Sequence, residues 1–183
     1  MSYSFPSASD KTFGYDKTQV DKFINQARNQ FQDPSLSLIT SDETRRAEFD
    51  LVLGGYEISR VDAAMESLEN EFASREIKRQ KLSRGEWAVE DRLARLTEIV
   101  SGRLQRKKRQ RFKNTGFLIR GYDRSQVDSL CDSIQAHIVN GAPIKLNQVR
   151  RAVFTLRRRG YAEAQVDAFL DRVMEILHIE VNR

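Results

Sequence analysis

The sequence predicts an all-α protein, and three observations carry that prediction. Its 183 residues include only three prolines and nine glycines, so little in the chain interrupts a helix. Four segments repeat one apolar spacing, i, i+3, i+4, i+7, i+11, which draws a single stripe along a helix. A further segment, expected as a helix from about Glu86 to Lys108, carries Val89, Leu93, Leu96, Val100 and Leu104 on one face.

Each of the four stripes follows a copy of Gly-Tyr-x-x-x-x-Val-Asp. The copies read FGYDKTQVD from Phe13, GGYEISRVD from Gly54, RGYDRSQVD from Arg120 and RGYAEAQVD from Arg159. In copy one the stripe is Val20, Phe23, Ile24, Ala27 and Phe31; in copy four it is Val166, Phe169, Leu170, Val173 and Leu177. A lone helix cannot hide such a face, so the copies are expected to pair, two within each half of the chain.

The motif also predicts its own local structure. Gly14, Gly55, Gly121 and Gly160 are expected where the chain changes direction, in a conformation with positive φ. Tyr15, Tyr56, Tyr122 and Tyr161 are expected to brace that turn, each hydroxyl finding a backbone partner. Asp16 and Asp123 each precede a glutamine by three residues (Gln19, Gln126), the spacing of a capping box. Ala162 stands at the equivalent place in copy four and offers no cap. Asp21, Asp62, Asp128 and Asp167 fall in the first helical turn or just after it, where the helix dipole favours a negative charge.

Copies two and four share more than the motif. Thr44–Tyr56 aligns with Val149–Tyr161, matching Arg45, Arg46, Ala47, Phe49 and Leu51 to Arg150, Arg151, Ala152, Phe154 and Leu156. Each even copy therefore has a short leading helix or turn, and the chain reads as a duplicated pair. The expected organisation is tandem helical-hairpin, coiled-coil-like repeats in two related halves, residues 1–82 and 112–183. A connecting helix with a basic end spans 83–111. Linkers are expected at Asp33–Ser35 and Asn140–Pro143.

The net charge of +5 favours an anionic partner. Its densest source is Arg103, Arg106, Lys107, Lys108, Arg109 and Arg111, a candidate patch for an anionic partner. Three readings apply to it: a solvated helix end, a lipid-binding patch and a nucleic-acid site. Nucleic acid is the weakest, since only Phe112 accompanies the run and no helix-turn-helix or zinc spacing is present. The single cysteine, Cys131, cannot form an internal disulfide and suits a reducing compartment. The first residues lack the apolar core of a signal peptide, and no run approaches the roughly 18 apolar residues of a transmembrane helix. A cytoplasmic chain, at most peripheral to the inner face of a membrane, is expected.

The repeats resemble the DivIVA domain of bacterial division and polar-growth proteins, RRAVFTLRRRGYAEAQVDAFLDRV from Arg150 most closely. Several short copies in one chain are similar to the multi-copy DivIVA-domain proteins of actinomycete-type bacteria. The resemblance covers the chain outside roughly residues 76–113. It implies a self-associating coiled-coil scaffold that touches membranes peripherally and recruits division or cell-wall machinery. It also implies that an apolar residue and an arginine before Gly-Tyr meet the lipid. Copy three keeps both, as Ile119 and Arg120. Copy one offers Phe13, copy two Leu53, and copy four Arg158 and Arg159.

Catalytic chemistry is not expected, nor a cofactor or metal. His137 and His178 lie on different helices without metal-ligand spacing, and no phosphate loop or nucleophile elbow occurs. Cys131 occupies a stripe position and reads as an inert core thiol.

Overall fold

The computed structural model describes residues 5–33, 36 and 39–183. The chain is mostly helical, as composition and periodicity predict. It divides into two compact units, residues 1–79 and 80–183. The first contains β1 (Phe13–Tyr15), α1 (Lys17–Gln32), α2 (Ser41–Arg45), β2 (Leu51–Leu53) and most of α3 (Ile58–Arg84). The second holds the end of α3, then α4 (Glu86–Leu104), β3 (Arg120–Tyr122), α5 (Arg124–Asn140), α6 (Leu146–Arg150), β4 (Leu156–Arg158) and α7 (Glu163–Asn182).

The motif glycines do not turn the chain; they lie in or beside short strands. β1 pairs antiparallel with β2, placing Phe13 opposite Leu53, and β3 pairs with β4, placing Arg120 opposite Arg158. None of the four motif glycines has positive φ; among glycines that conformation belongs to Gly54, Gly85 and Gly141. The reason for glycine is backbone approach. A Cβ on Gly14 would sit 2.3 Å from the Tyr56 carbonyl oxygen, and one on Gly55 would sit 2.6 Å from the Gly14 carbonyl carbon. In the second unit the corresponding distances are 2.2 Å, from Gly121 to the Tyr161 oxygen, and 2.4 Å, from Gly160 to the Gly121 carbonyl carbon.

That approach brings two motif tyrosines into mutual backbone bonding. Tyr15 N–H donates to Tyr56 C=O at 3.0 Å and Tyr56 N–H returns to Tyr15 C=O at 2.8 Å. Tyr122 and Tyr161 repeat the exchange at 3.0 and 2.8 Å. The hydroxyls then reach a carboxylate of the other copy, and of the four only the Tyr161 hydroxyl also meets a backbone group, accepting the Arg111 N–H at 3.3 Å. Tyr15 donates to Asp62 at 3.1 Å and Tyr56 to Asp21 at 3.1 Å. Tyr161 donates to Asp128 at 3.1 Å, and Tyr122 bonds Asp167. Copies one and two are joined in this way inside the first unit, and copies three and four inside the second.

The glutamines also cross between copies. Asp16 caps α1 by accepting from Gln19 N–H at 2.9 Å, and Asp123 caps α5 through Ser125 and Gln126. The reciprocal half of the expected capping box is absent. Gln19 instead clasps Asp50, accepting its backbone N–H at 2.9 Å and donating to its carboxylate at 2.6 Å. Gln126 accepts the Thr155 N–H at 2.8 Å in the same manner. Ala162 provides no side-chain cap to α7, as expected. The true capping box lies at Thr40 and Glu43, on the leading helix α2.

Beneath each strand pair, the helical stripes form the core. Phe5, Val20, Ile24 and Val61 are buried together, and Ala27, Ile39 and Phe72 continue the packing along α1 and α3. In the second unit Phe112 meets Tyr161 and Phe169 edge-on, at ring separations of 5.1 and 5.3 Å. Cys131 is buried, and burial pushes its thiol up to about 12. Helix α4 packs on α7 and α5. Gly85, at φ 84°, folds the chain back between α3 and α4. Arg92 then bonds the Gln80 side chain at 3.0 Å, which twelve residues of straight helix would hold about 18 Å away. The Asn140–Pro143 linker holds a left-handed Gly141 cap. Pro34 and Ser35 of the other expected linker lie outside the described residues.

Because the Gly121 site has no room for a side chain, Gly121→Ala should destabilise the fold by about 3 kcal/mol or more. Urea denaturation checks this; Gly116→Ala, at a glycine with open space around it, is the control and should change stability little.

His137 sets a second test. Its Nδ1 lies 2.8 Å from the Ala142 carbonyl oxygen and its Nε2 lies 2.8 Å from a Glu180 carboxylate oxygen. Both partners are acceptors, so only the doubly protonated ring satisfies both. Burial lowers the His137 pKa, but the Glu180 and Ala142 bonds outweigh it and leave the pKa raised. The stabilisation is therefore complete below about pH 6.5, the unfolded value, and fades as pH rises through the raised folded value. The melting-temperature gap between the wild type and Glu180→Gln should shrink as pH rises above about 6.5. A constant gap would remove the pH dependence.

Candidate functional site: the two strand-pair tips

Each strand pair is preceded by a four-residue turn, and the two turns are built alike. In the first unit Thr12 N–H donates to Ser9 C=O at 2.8 Å; in the second Ile119 N–H donates to Gly116 C=O at 3.3 Å. The residues carried on this shared backbone differ in kind. The first turn reads Ser-Asp-Lys-Thr, residues 9–12, and the second Gly-Phe-Leu-Ile, residues 116–119.

Chemistry at the strand ends is inverted as well. Beside the polar turn stand Phe13 and Leu53, cross-strand partners each 58% exposed, with Leu51 also exposed. Beside the apolar turn stand Arg120 and Arg158, also cross-strand partners, with Arg157 and Arg159. Tip one thus has a polar apex and an apolar collar. Tip two has an apolar apex, with Phe117, Leu118 and Ile119 exposed by 57%, 90% and 64%, and a cationic collar. The guanidinium groups of Arg158 and Arg159 lie 5.3 and 5.5 Å from the centre of the Phe117 ring. Arg157 is engaged with Asp123 at 2.6 Å.

Of the residues expected to meet lipid, Ile119, Arg120, Arg158 and Arg159 converge on tip two. Phe13 and Leu53 converge on tip one, below an apex without an apolar residue. Phe117 and Leu118 belong to the same apex as Ile119 and were missing from the sequence reading. Their signal was three consecutive apolar residues after a glycine, outside any helical period.

The basic run is not a helical patch. Helix α4 ends at Leu104, short of the expected Lys108, and the following turn folds the run back on the protein. Arg111 is 3% exposed. Its guanidinium donates to Asp128 C=O and to the Asp132 carboxylate, both at 2.9 Å, while its backbone N–H reaches the Tyr161 hydroxyl at 3.3 Å. Lys108 pairs with Asp132 at 2.7 Å. Arg103 covers the Phe112 ring and donates to the Arg111 carbonyl oxygen at 3.1 Å. Arg109, at φ 66°, gives its backbone N–H to Asp128 at 2.7 Å. Burial works against the charge of Asp132, but Lys108 and Arg111 win and lower its pKa. Burial also drives the Tyr161 hydroxyl up to about 12, so it remains a donor to Asp128. Three of the six cationic side chains, Arg103, Lys108 and Arg111, thus brace the second unit, and Arg109 does so through its backbone alone; residues 106–109 are all exposed.

Among the described residues no helix is long and apolar enough to cross a membrane, and no cluster of ligating side chains could hold a metal ion. Comparison with protein-family models, curated proteins and solved structures found no match.

Arg111→Met should destabilise the chain by about 3 kcal/mol or more, because it takes the guanidinium away from the buried Asp128 and from the half-buried Asp132. Replacing Arg106 and Lys107 by glutamine should change stability by no more than about 0.5 kcal/mol. Equal effects in urea denaturation would mean that Arg111 is as dispensable as its exposed neighbours.

Proposed function

We propose that this chain is a non-enzymatic scaffold or adaptor of bacterial cell division or polar envelope growth, docking peripherally on anionic membrane through its second tip. The observation that carries the membrane reading is the apolar apex of Phe117, Leu118 and Ile119 within a collar of arginines. Apolar side chains that enter the acyl boundary, with basic residues level with the headgroups, combine hydrophobic and electrostatic attraction. The division context rests on the resemblance of the four copies to DivIVA domains. Supporting it, each Gly-Tyr-x-x-x-x-Val-Asp copy meets another through the same Tyr–Asp exchange. On this reading the chain is two tandem DivIVA-like pairs, each closing within the chain on the surface a single-copy relative would offer to a second molecule. Helix faces outside those pairs remain for protein partners. Nucleic acid is the weaker partner, since Arg103, Lys108 and Arg111 of the basic run are committed to internal contacts.

Co-sedimentation with vesicles tests the proposal. The protein should pellet with phosphatidylglycerol vesicles, and Leu118→Asp or Ile119→Asp should reduce that binding by about tenfold or more, each removing a buried apolar group and adding a charge. Phe13→Asp on the first tip should reduce it far less. Failure of the wild type to pellet would leave an interaction module without membrane affinity, and pull-downs with the full chain would then seek its protein partners.

A further inference from the structure

Three guanidinium groups gather in the second unit where the end of α4 meets α7. Arg103 lies 5.5 Å from the centre of the Phe112 ring, and that ring meets Phe169 of α7 edge-on. Arg172 stands three residues beyond Phe169, and Arg106 three residues beyond Arg103. The Arg103 pKa is lowered, first by burial and then by the charges of Arg106 and Arg172, so the three cations are close enough to repel one another. Among the described residues none of the three is ion-paired with a carboxylate. Arg103 donates to the Arg111 carbonyl oxygen and Arg172 to the Ala168 carbonyl oxygen. The same two helices carry an Arg92–Glu175 pair further along, so their packing accommodates a carboxylate partner that this corner lacks. An apolar side chain stands beside the cations. Ile99 is 57% exposed and precedes Arg103 by one turn of α4, on the same face. Helix α4 has no counterpart in the first unit, so the corner is not part of the repeated architecture.

We propose that this corner docks an acidic protein segment, whose carboxylates pair with Arg103, Arg106 and Arg172 and whose apolar residue covers Ile99. Like charges held together repel until an anion lies among them, so a bound carboxylate is attracted by all three at once. Arginine suits the task, because its planar fork takes a carboxylate through two parallel hydrogen bonds. The apolar member of the corner discriminates among anions. A nucleic-acid backbone has nothing to set against Ile99, and the aromatic ring here, Phe112, is buried and offers no face for a base to stack on. A protein segment carries carboxylates and an apolar side chain together. The corner would be one of the protein-binding faces that the scaffold reading requires, and it stands whether or not the chain docks on a membrane.

Fluorescence anisotropy with defined probes tests the proposal on the full chain. The probe is a labelled peptide of about 18 residues, long enough to form a helix in water, with leucine on one face and glutamates beside it. A matching peptide has glutamine in place of glutamate. The wild type should bind the glutamate peptide about tenfold more tightly than the glutamine peptide. Arg106→Glu and Arg172→Glu should each weaken that binding about fivefold, and Ile99→Ala should do so to a similar degree. Arg60→Glu, an equal change of net charge in the first unit, should leave it unchanged. Equal affinity for the two peptides would overturn the proposal. Equal weakening by Arg60→Glu would also overturn it, since net charge alone would then account for the binding. Tighter binding of an oligothymidylate, lost in the same variants, would assign the corner to nucleic acid instead. Loss of pelleting with phosphatidylglycerol vesicles in Arg172→Glu, with no peptide bound by the wild type, would assign it to lipid. A wild type that binds the glutamate peptide and pellets with neither vesicle would overturn the membrane reading and leave this inference standing.

Discussion

The contact on which both units depend is the approach of two glycine backbones. At Gly14–Gly55 and Gly121–Gly160 the carbonyl groups of one copy occupy the volume a Cβ of the other would need. Only at that separation can the neighbouring tyrosines exchange both backbone hydrogen bonds, and from there each ring reaches across to the opposite copy. Its hydroxyl ends on the aspartate that follows the motif valine. The valine itself, fully buried in every copy, begins the stripe that packs the helices below. One short motif thus supplies the close approach, the cross-link and the start of the core. This explains why its four parts recur together.

Much of this was legible in the chain, and the missing part has a physical pattern. Helical stripes are properties of one segment, so periodicity found α1, α5, α7 and the face of α4. The leading helices α2 and α6 showed as an aligned pair. Partners distant in sequence were not legible. Glycine at Gly121 could equally have meant positive φ or a close neighbour, and only the neighbour decides. Gln19 and Gln126 had correct capping-box spacing, yet they bond Asp50 and Thr155, the residues just before β2 and β4. The tyrosine hydroxyls needed an acceptor, and nothing local identified the carboxylate of the other copy.

The basic run shows the same limit in charge. Read linearly, Arg103 to Arg111 is a dense positive segment. In three dimensions the turn after Leu104 places Arg111 against α5, whose Asp128 and Asp132 lie one helical turn apart on a common face. Burying a guanidinium is tolerable because those groups meet it, and it then ties the segment between α4 and β3 to α5 and Tyr161. Spacing of the two aspartates was the available signal, but it gains meaning only when an opposite charge with no other outlet is sought for it.

Duplication makes the remaining asymmetry informative. Where two units keep the same element order, the same Tyr–Asp exchange and the same turn, differences in their exposed residues cannot be attributed to the backbone. The second tip holds Phe117, Leu118 and Ile119 in water, opposes Arg120 to Arg158 and places Arg159 in a left-handed conformation, each unfavourable for an isolated protein. At the matching positions the first tip has a polar turn, an apolar cross-strand pair and a glycine. Stability alone would favour the first solution in both units, because the shared backbone accepts it. The proposed docking would offset those costs, because a membrane of acidic lipids is apolar within and anionic at its border.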